Sequence, residues 1–365
     1  PVGAAGVLNS MQFNTPFYFR QDITEFPFLA PSYTLSSRLP SLTVPSPESP
    51  TGDLRYLVPG DRNQYSQTWS FDIQHAWGTS MLLDAGYVGT SGSRLLMTTN
   101  INAAPPGVTD PTTRRPYGGA IGEVRAFSNS AHSSYNGAQV RFERRMTHGV
   151  YFLTSYTWSK SIDNQSTGTD DSTAGGQSPQ NPLNASLDRA VSNFDRTHRL
   201  TGSFAWTLPF GRRSILLRDW QISGIFELQT GPPFSVLMQC ADIDADGNNC
   251  RPNLVRPSAM PAAGQSIGQW FDSTAFAIPS PAAYGDAGRN LLRAPGLANL
   301  DASVSKSIAW GADARRRLRI RGDFFNALNH ANFGIPVNSV DSPAIGSITT
   351  AASGRTIQLS ARMEF

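Results

Sequence analysis

The stretch RTIQLSARMEF, Arg355 to Phe365, decides the fold. Side chains of an extended strand alternate between its two faces. Ile357, Leu359, Ala361, Met363 and Phe365 therefore share one face, while Gln358, Ser360, Arg362 and Glu364 share the other. A soluble domain rarely ends on an aromatic of its dry face, because that leaves a sheet edge and a large apolar side chain at a fraying terminus. In a closed membrane barrel the edge is paired and the ring sits at the lipid interface.

Composition agrees with this reading. The 365 residues are 39% hydrophobic with a mean hydropathy of −0.29, and no apolar run reaches the 18 or so residues a spanning helix needs. A helical membrane protein is excluded. The 32 glycines, 26 prolines and 10% aromatics suit many strands punctuated by loops, an all-β chain. The net charge of +3 is spread along the chain and gives no footprint for nucleic acid. The chain opens on Pro1 with no charged segment followed by an apolar one, which suits a fragment of a longer protein better than a mature start.

Eight further segments alternate as the terminal one does. Thr68 to Trp77 and Met81 to Gly89 form a hairpin about Gly78, and Tyr135 to Arg145 returns through Val150 to Ile162 after His148 and Gly149. His198 to Pro209 and Trp220 to Gln229 alternate Leu200, Phe204, Trp206, Ile222, Phe226 and Leu228 with polar residues. Leu300 to Ser305 and Leu318 to Phe324 complete the series. About ten residues each is the length that crosses a bilayer at a tilt of roughly 45°.

The connections alternate short and long, roughly 3, 40, 2, 35, 9, 65, 5 and 27 residues. A soluble sandwich has no reason to keep that rhythm. Transmembrane barrels do, with tight turns at the periplasmic rim and long loops outside the cell. With Phe365 at the periplasmic rim, every short connection falls on the same side. The expected fold is thus an antiparallel up-and-down meander, part of a transmembrane barrel left open in this chain. Its polar faces line a lumen and its apolar faces meet outer-membrane lipid.

From about Ser133 onward the chain resembles the C-terminal barrel region of TonB-dependent outer-membrane receptors, in particular the Oar-like group with a carboxypeptidase-regulatory-like domain. The resemblance is carried by YNGAQVRFERR (Tyr135 to Arg145), SYTWSKSID (Ser155 to Asp163), FDRTHRLTGSFAWTLPFG (Phe194 to Gly211), WQISGIFELQTGPPFSV (Trp220 to Val236), GDAGRNLLRAPGLANLDASVSKS (Gly285 to Ser307) and RIRGDFFNALNHANFGIP (Arg319 to Pro336). It implies a barrel of about 22 strands plugged by an N-terminal domain. On that basis residues 1–365 are the C-terminal portion of one barrel domain, without the plug through which TonB would act. The implied role is energised uptake of a scarce extracellular ligand. A passive porin-like barrel and a surface β-protein for adhesion are the alternatives.

Local motifs are few. Asp242, Asp244, Asp246 and Gly247 in CADIDADGNNC have the D-x-D-x-D-G opening of a calcium loop, but the twelfth position is Asn253 rather than a bidentate Glu. The loop is either a weak calcium site or a solvated acidic tip; no other cofactor is expected. Cys240 and Cys250 bracket it, and an oxidising exterior favours a disulfide between them. The five histidines form no metal constellation, and no G-x-S-x-G occurs, so the chain is not read as an enzyme. In FNALNHANF, Asn326 and Asn329 are expected to satisfy loop backbone around His330. Arg317, Arg319 and Arg321 fall on the lumen face. Ile357, Leu359, Met363 and Phe365 resemble the terminal signal read by the barrel assembly machinery through strand addition.

Overall fold

The computed structural model describes residues 52–166, 179–209, 217–239, 249–280, 283–310 and 316–364. The period-two segments become nine strands: β1 (Tyr65–Trp77), β2 (Met81–Asn100), β3 (Ile121–Thr147), β4 (Val150–Asp163), β5 (His198–Thr207), β6 (Trp220–Gln229), β7 (Leu297–Trp310), β8 (Arg316–Phe325) and β9 (Thr356–Glu364). Each pairs with its sequence neighbours, all antiparallel, in the order β1 to β9. The sheet is open: β1 and β9 end the path, each with a partner on one side among the described residues.

Register makes the two faces continuous across strands. Ile73, Ala85, Val140, Tyr156, Leu200, Leu228 and Ala298 are successive partners in one row from β1 to β7. One residue along each strand, the row reads Gln74, Asp84, Arg141, Ser155, Thr201, Glu227 and Asn299. A shift of a single residue would interchange the two rows, so the apolar pattern fixes the register. The polar face is cross-linked: Gln74 donates to Asp84 at 2.9 Å, and ion pairs join Arg141 to Glu143 at 2.8 Å and Arg199 to Glu227 at 2.8 Å. Arg317, Arg319 and Arg321 lie in that face, opposite Ala309, Ser307 and Ser305.

Among the described residues, no protein layer covers most of the apolar face. Phe71 is 66% exposed and Leu359 79%, far more than a sheet bearing this face toward water would leave. Glycines in it are filled from the neighbouring strand. Gly202 faces Phe226 and Gly224 faces Phe204, and a Cβ on Gly202 would stand 2.4 Å from the Phe226 ring. Arg144 and Lys306, cations on this face, stand near the short turns. Lys306 is buried, donating to the Arg218 carbonyl and lying 5.6 Å from the Trp220 ring centroid, so its charge is met by protein groups.

The core sits at one end. Among the described residues the buried apolar side chains are mainly Met97, Ala103, Ala104, Val124, Ala126, Phe127 and Ala131 on the β2–β3 side, and a cluster around Phe234, Val236, Phe271 and Phe276 in the connection 230–296. Both belong to the long-loop rim. Connections 78–80, 148–149, 208–219 and 311–315 leave from the other rim, where Glu364 pairs with Arg317. Phe365 lies outside the described residues.

Two expectations need correcting. β2 and β3 are not ten residues long but 20 and 27, because the hairpin continues past bilayer height as far as Asn100 paired with Arg125. The connection between them shrinks to 101–120. A further strand, Gly52–Leu57, lies parallel to the upper part of β3, with Leu54 opposite Val124 and Leu57 opposite Phe127. It is the exception to an antiparallel sheet, and it buries that upper hairpin.

Candidate functional site: an arginine clamp beneath the long loops

The loops 164–197 and 230–296 are long enough to wander, and the apolar residues of the second pack mainly among themselves, around Phe234, Val236, Phe271 and Phe276. They are joined instead by three arginines of the second loop set on three aspartates from β4 and the first loop. Arg289 pairs with Asp163, Arg251 with Asp188 at 2.5 Å, and Arg293 with Asp195 at 2.6 Å. The Arg289 and Asp163 side chains are 4% and 3% exposed. Charges so deeply buried are tolerable only when every lobe is bonded. Arg289 meets that demand: Nε donates to the Asp188 carbonyl at 2.8 Å, Nη2 to the Asp163 carbonyl at 2.8 Å, and Nη1 to Ser166 Oγ at 3.0 Å.

Neighbours complete the clamp. Asp195 Oδ1 accepts the Ser161 N–H at 2.7 Å, tying the loop to the top of β4. Asn290, in the left-handed region at φ 54, donates to the Val191 carbonyl and to Asn193 Oδ1, both at 2.7 Å. Gln180 takes the Arg251 N–H at 2.8 Å and donates to the Gly285 carbonyl at 3.0 Å. Gly231 is needed where the second loop leaves β6, since a Cβ there would fall 1.8 Å from the Ala294 carbonyl oxygen. Around Arg196 the guanidinium pKa is lowered by burial, partly opposed by Asp195 and helped by Arg293 and Arg199.

The residues singled out from sequence fall in different places. Cys240, Asp242, Asp244 and Asp246 lie outside the described residues. Asn253 pairs with Ala277 in a two-residue ladder, and its Oδ1 accepts the Asp286 N–H at 3.1 Å. Cys250 is buried and disulfide-bonded. Among the described residues, no group of three His, Cys, Asp or Glu side chains could hold a metal. The histidine turn is built as expected. Asn326 and Asn329 are left-handed, at φ 49 and 52, and Asn326 both donates to the His330 carbonyl and accepts the His330 N–H at 2.9 Å. Asn329 Oδ1 accepts the Arg355 N–H at 3.0 Å. Ile357, Leu359 and Met363 lie on the exposed apolar face of β9.

A single antiparallel layer with one bare apolar face, one cross-linked polar face and folded loops on one rim defines a transmembrane β-barrel wall. The chain belongs to the outer membrane beta barrel domain family, whose model matches residues 2–358. Its place is the bacterial outer membrane. No curated protein matches it in sequence. Among solved structures it is similar to the outer membrane transporter YddB from Escherichia coli, at 12% identity and a TM-score of 0.48, over 87% of this chain and 35% of that one. It is also similar to the ferric-catecholate import receptor Fiu from E. coli K12, at 12% identity and a TM-score of 0.39, over 84% and 28%. The FrpB iron transporter from Neisseria meningitidis aligns at 12% identity and a TM-score of 0.37, over 84% of this chain and 32% of that one. The chain spans about a third of the length of these structures.

Proposed function

We propose that this chain is the C-terminal portion of the barrel of a TonB-dependent receptor, which captures a scarce ligand at the cell surface and imports it with energy delivered by TonB. The observation that supports this most is the clamp. A passive pore needs a wall, whereas a surface receptor also needs rigid loops, and here buried arginines hold two long loops in a fixed relation to the strands. The motifs that resemble the receptor family are the ones that supply Asp163, Asp195, Arg289 and Arg293. The proposed role is transport, and no catalytic step is assigned. TonB would engage a plug domain of the full-length protein, and the assembly machinery would engage β9 with Phe365.

The two cysteines of the sequence make Cys240 the proposed partner of Cys250. The acidic turn between them is proposed to hold calcium only weakly, because its twelfth residue, Asn253, offers one oxygen that already receives a backbone N–H. Calorimetry on the full-length protein should show calcium heat only at concentrations well above those of sensor sites, which bind at about 10⁻⁷–10⁻⁵ M.

Planar-bilayer conductance of the full-length protein tests the main reading. A plugged receptor should give little steady current and should retain a purified TonB C-terminal domain in a pull-down. A large, steady open-pore current with no TonB retention would establish a passive porin instead.

A further inference from the structure

The apolar row of the sheet does not stop where the loops begin. Tyr156, Leu200 and Leu228, successive partners in that row, also line a cavity of ≈ 890 Å³, together with Met260, Trp270 and Leu291 of the connection 230–296. The second loop therefore overhangs the outer, lipid-facing side of β4, β5 and β6 at their long-loop ends. Those ends stand at the outer leaflet, because the short turns mark the periplasmic rim.

Chemistry narrows the occupant. Leu228, Met260 and Leu291 are each about half exposed, at 46%, 56% and 45%, so the cavity is open rather than collapsed. Several of its polar side chains are engaged: Trp270 Nε1 donates to the Arg293 carbonyl at 2.7 Å, the Tyr156 hydroxyl bonds His198 Nδ1 at 2.8 Å, Gln265 Nε2 donates to the Trp270 carbonyl at 3.2 Å, and Arg293 pairs with Asp195. A polar solute would meet few free partners there. An alkyl chain needs none, and burying it against these walls removes apolar surface from water, which is favourable. The volume lies within the range of about 300–1,000 Å³ typical of small-molecule sites. Because the cavity continues the surface that lipid already covers, a chain can enter it without leaving the bilayer.

We propose that this cavity seats an acyl chain of an outer-leaflet lipid, which fastens the overhanging loop to the membrane surface. The inference rests on the bilayer placement of the sheet and not on transport.

The test uses the full-length protein in bilayer nanodiscs with two added reporters, Met260→Trp in the cavity and Leu359→Trp on the bare face of β9. Each is read as the difference from wild type. Phosphatidylcholine brominated along its acyl chains should remove most of the added emission at both positions, while aqueous iodide should remove little at either. As a second reading, the fluorescence lost in Trp270→Phe should be a component that the brominated lipid quenches. Iodide quenching of the Met260→Trp signal without lipid quenching would show a water-filled cavity and overturn the proposal. Quenching by neither would show that protein covers the cavity, and would overturn it as well. In both cases lipid quenching at Leu359→Trp would leave the barrel placement standing; its loss too would remove that placement.

Discussion

Arg289 is held by four groups from a segment more than a hundred residues upstream. Replacing it with Met leaves the Asp163 carboxylate buried and unpaired, a change that costs about 3–5 kcal/mol. Limited proteolysis of intact cells should then cut loops 164–197 and 230–296 much faster, while the amount of barrel in the membrane stays near wild type. Lys at this position should rescue poorly, because an ammonium cannot serve the separate acceptors that the planar guanidinium reaches. Asp272 offers a pH readout in the same loop. Its pKa is lowered from 3.8, first by the Thr274 hydroxyl and then by the Thr274 N–H and Arg256. A carboxylate depressed in the fold stabilises it above the unfolded value and stops doing so as pH falls through the folded one. Loop protection against proteolysis by an acid-active protease should therefore weaken below about pH 4 in wild type, and Asp272→Asn should show a smaller change over that window.

At the scale of elements, the glycines opposite aromatics set how closely the strands and their side chains fit. Gly224→Val places branches on a Cβ that would already lie 2.8 Å from the Phe204 ring. The outer-membrane level of this variant should fall, whereas Ser223→Val on the polar face should change it less. All nine spanning strands were legible in the sequence, because each has one face that must be apolar and one that must not, and that demand repeats every second residue. The upper halves of β2 and β3 were not. Their residues Ser91 to Asn100 and Ile121 to Ser134 are rich in Ser, Thr and Gly, and they are covered by a parallel strand whose pairing no local period announces. The clamp was not legible. Asp163, Asp195, Arg289 and Arg293 stand in stretches that carry the family resemblance, but no local pattern marks them as partners, and which charge meets which depends on contacts 98 and 126 residues apart. For β9, deletion of Phe365 should lower the surface level of the full-length protein and trap it in the periplasm, far more than Glu364→Gln. Equal surface levels would show that the terminal aromatic carries no assembly signal.

Across the whole molecule, the row containing Ile73, Val140, Leu200 and Leu228, and its continuation on β8 and β9, faces lipid. The location of the core agrees, since the buried apolar side chains of the described residues gather at the long-loop rim and leave the nine-stranded wall without an apolar layer of protein against it. A water-exposed sheet with Leu359 at 79% exposure would be an aggregation surface. The most direct measurement is a nitroxide scan of residues 357 to 363 on β9 in the full-length protein in bilayers. Collision with oxygen, which partitions into lipid, is compared with collision with a water-soluble nickel chelate. Oxygen accessibility should peak at Ile357, Leu359, Ala361 and Met363 and fall at Gln358, Ser360 and Arg362. Peaks at the polar positions, or no alternation at all, would contradict the assignment of this face to the membrane.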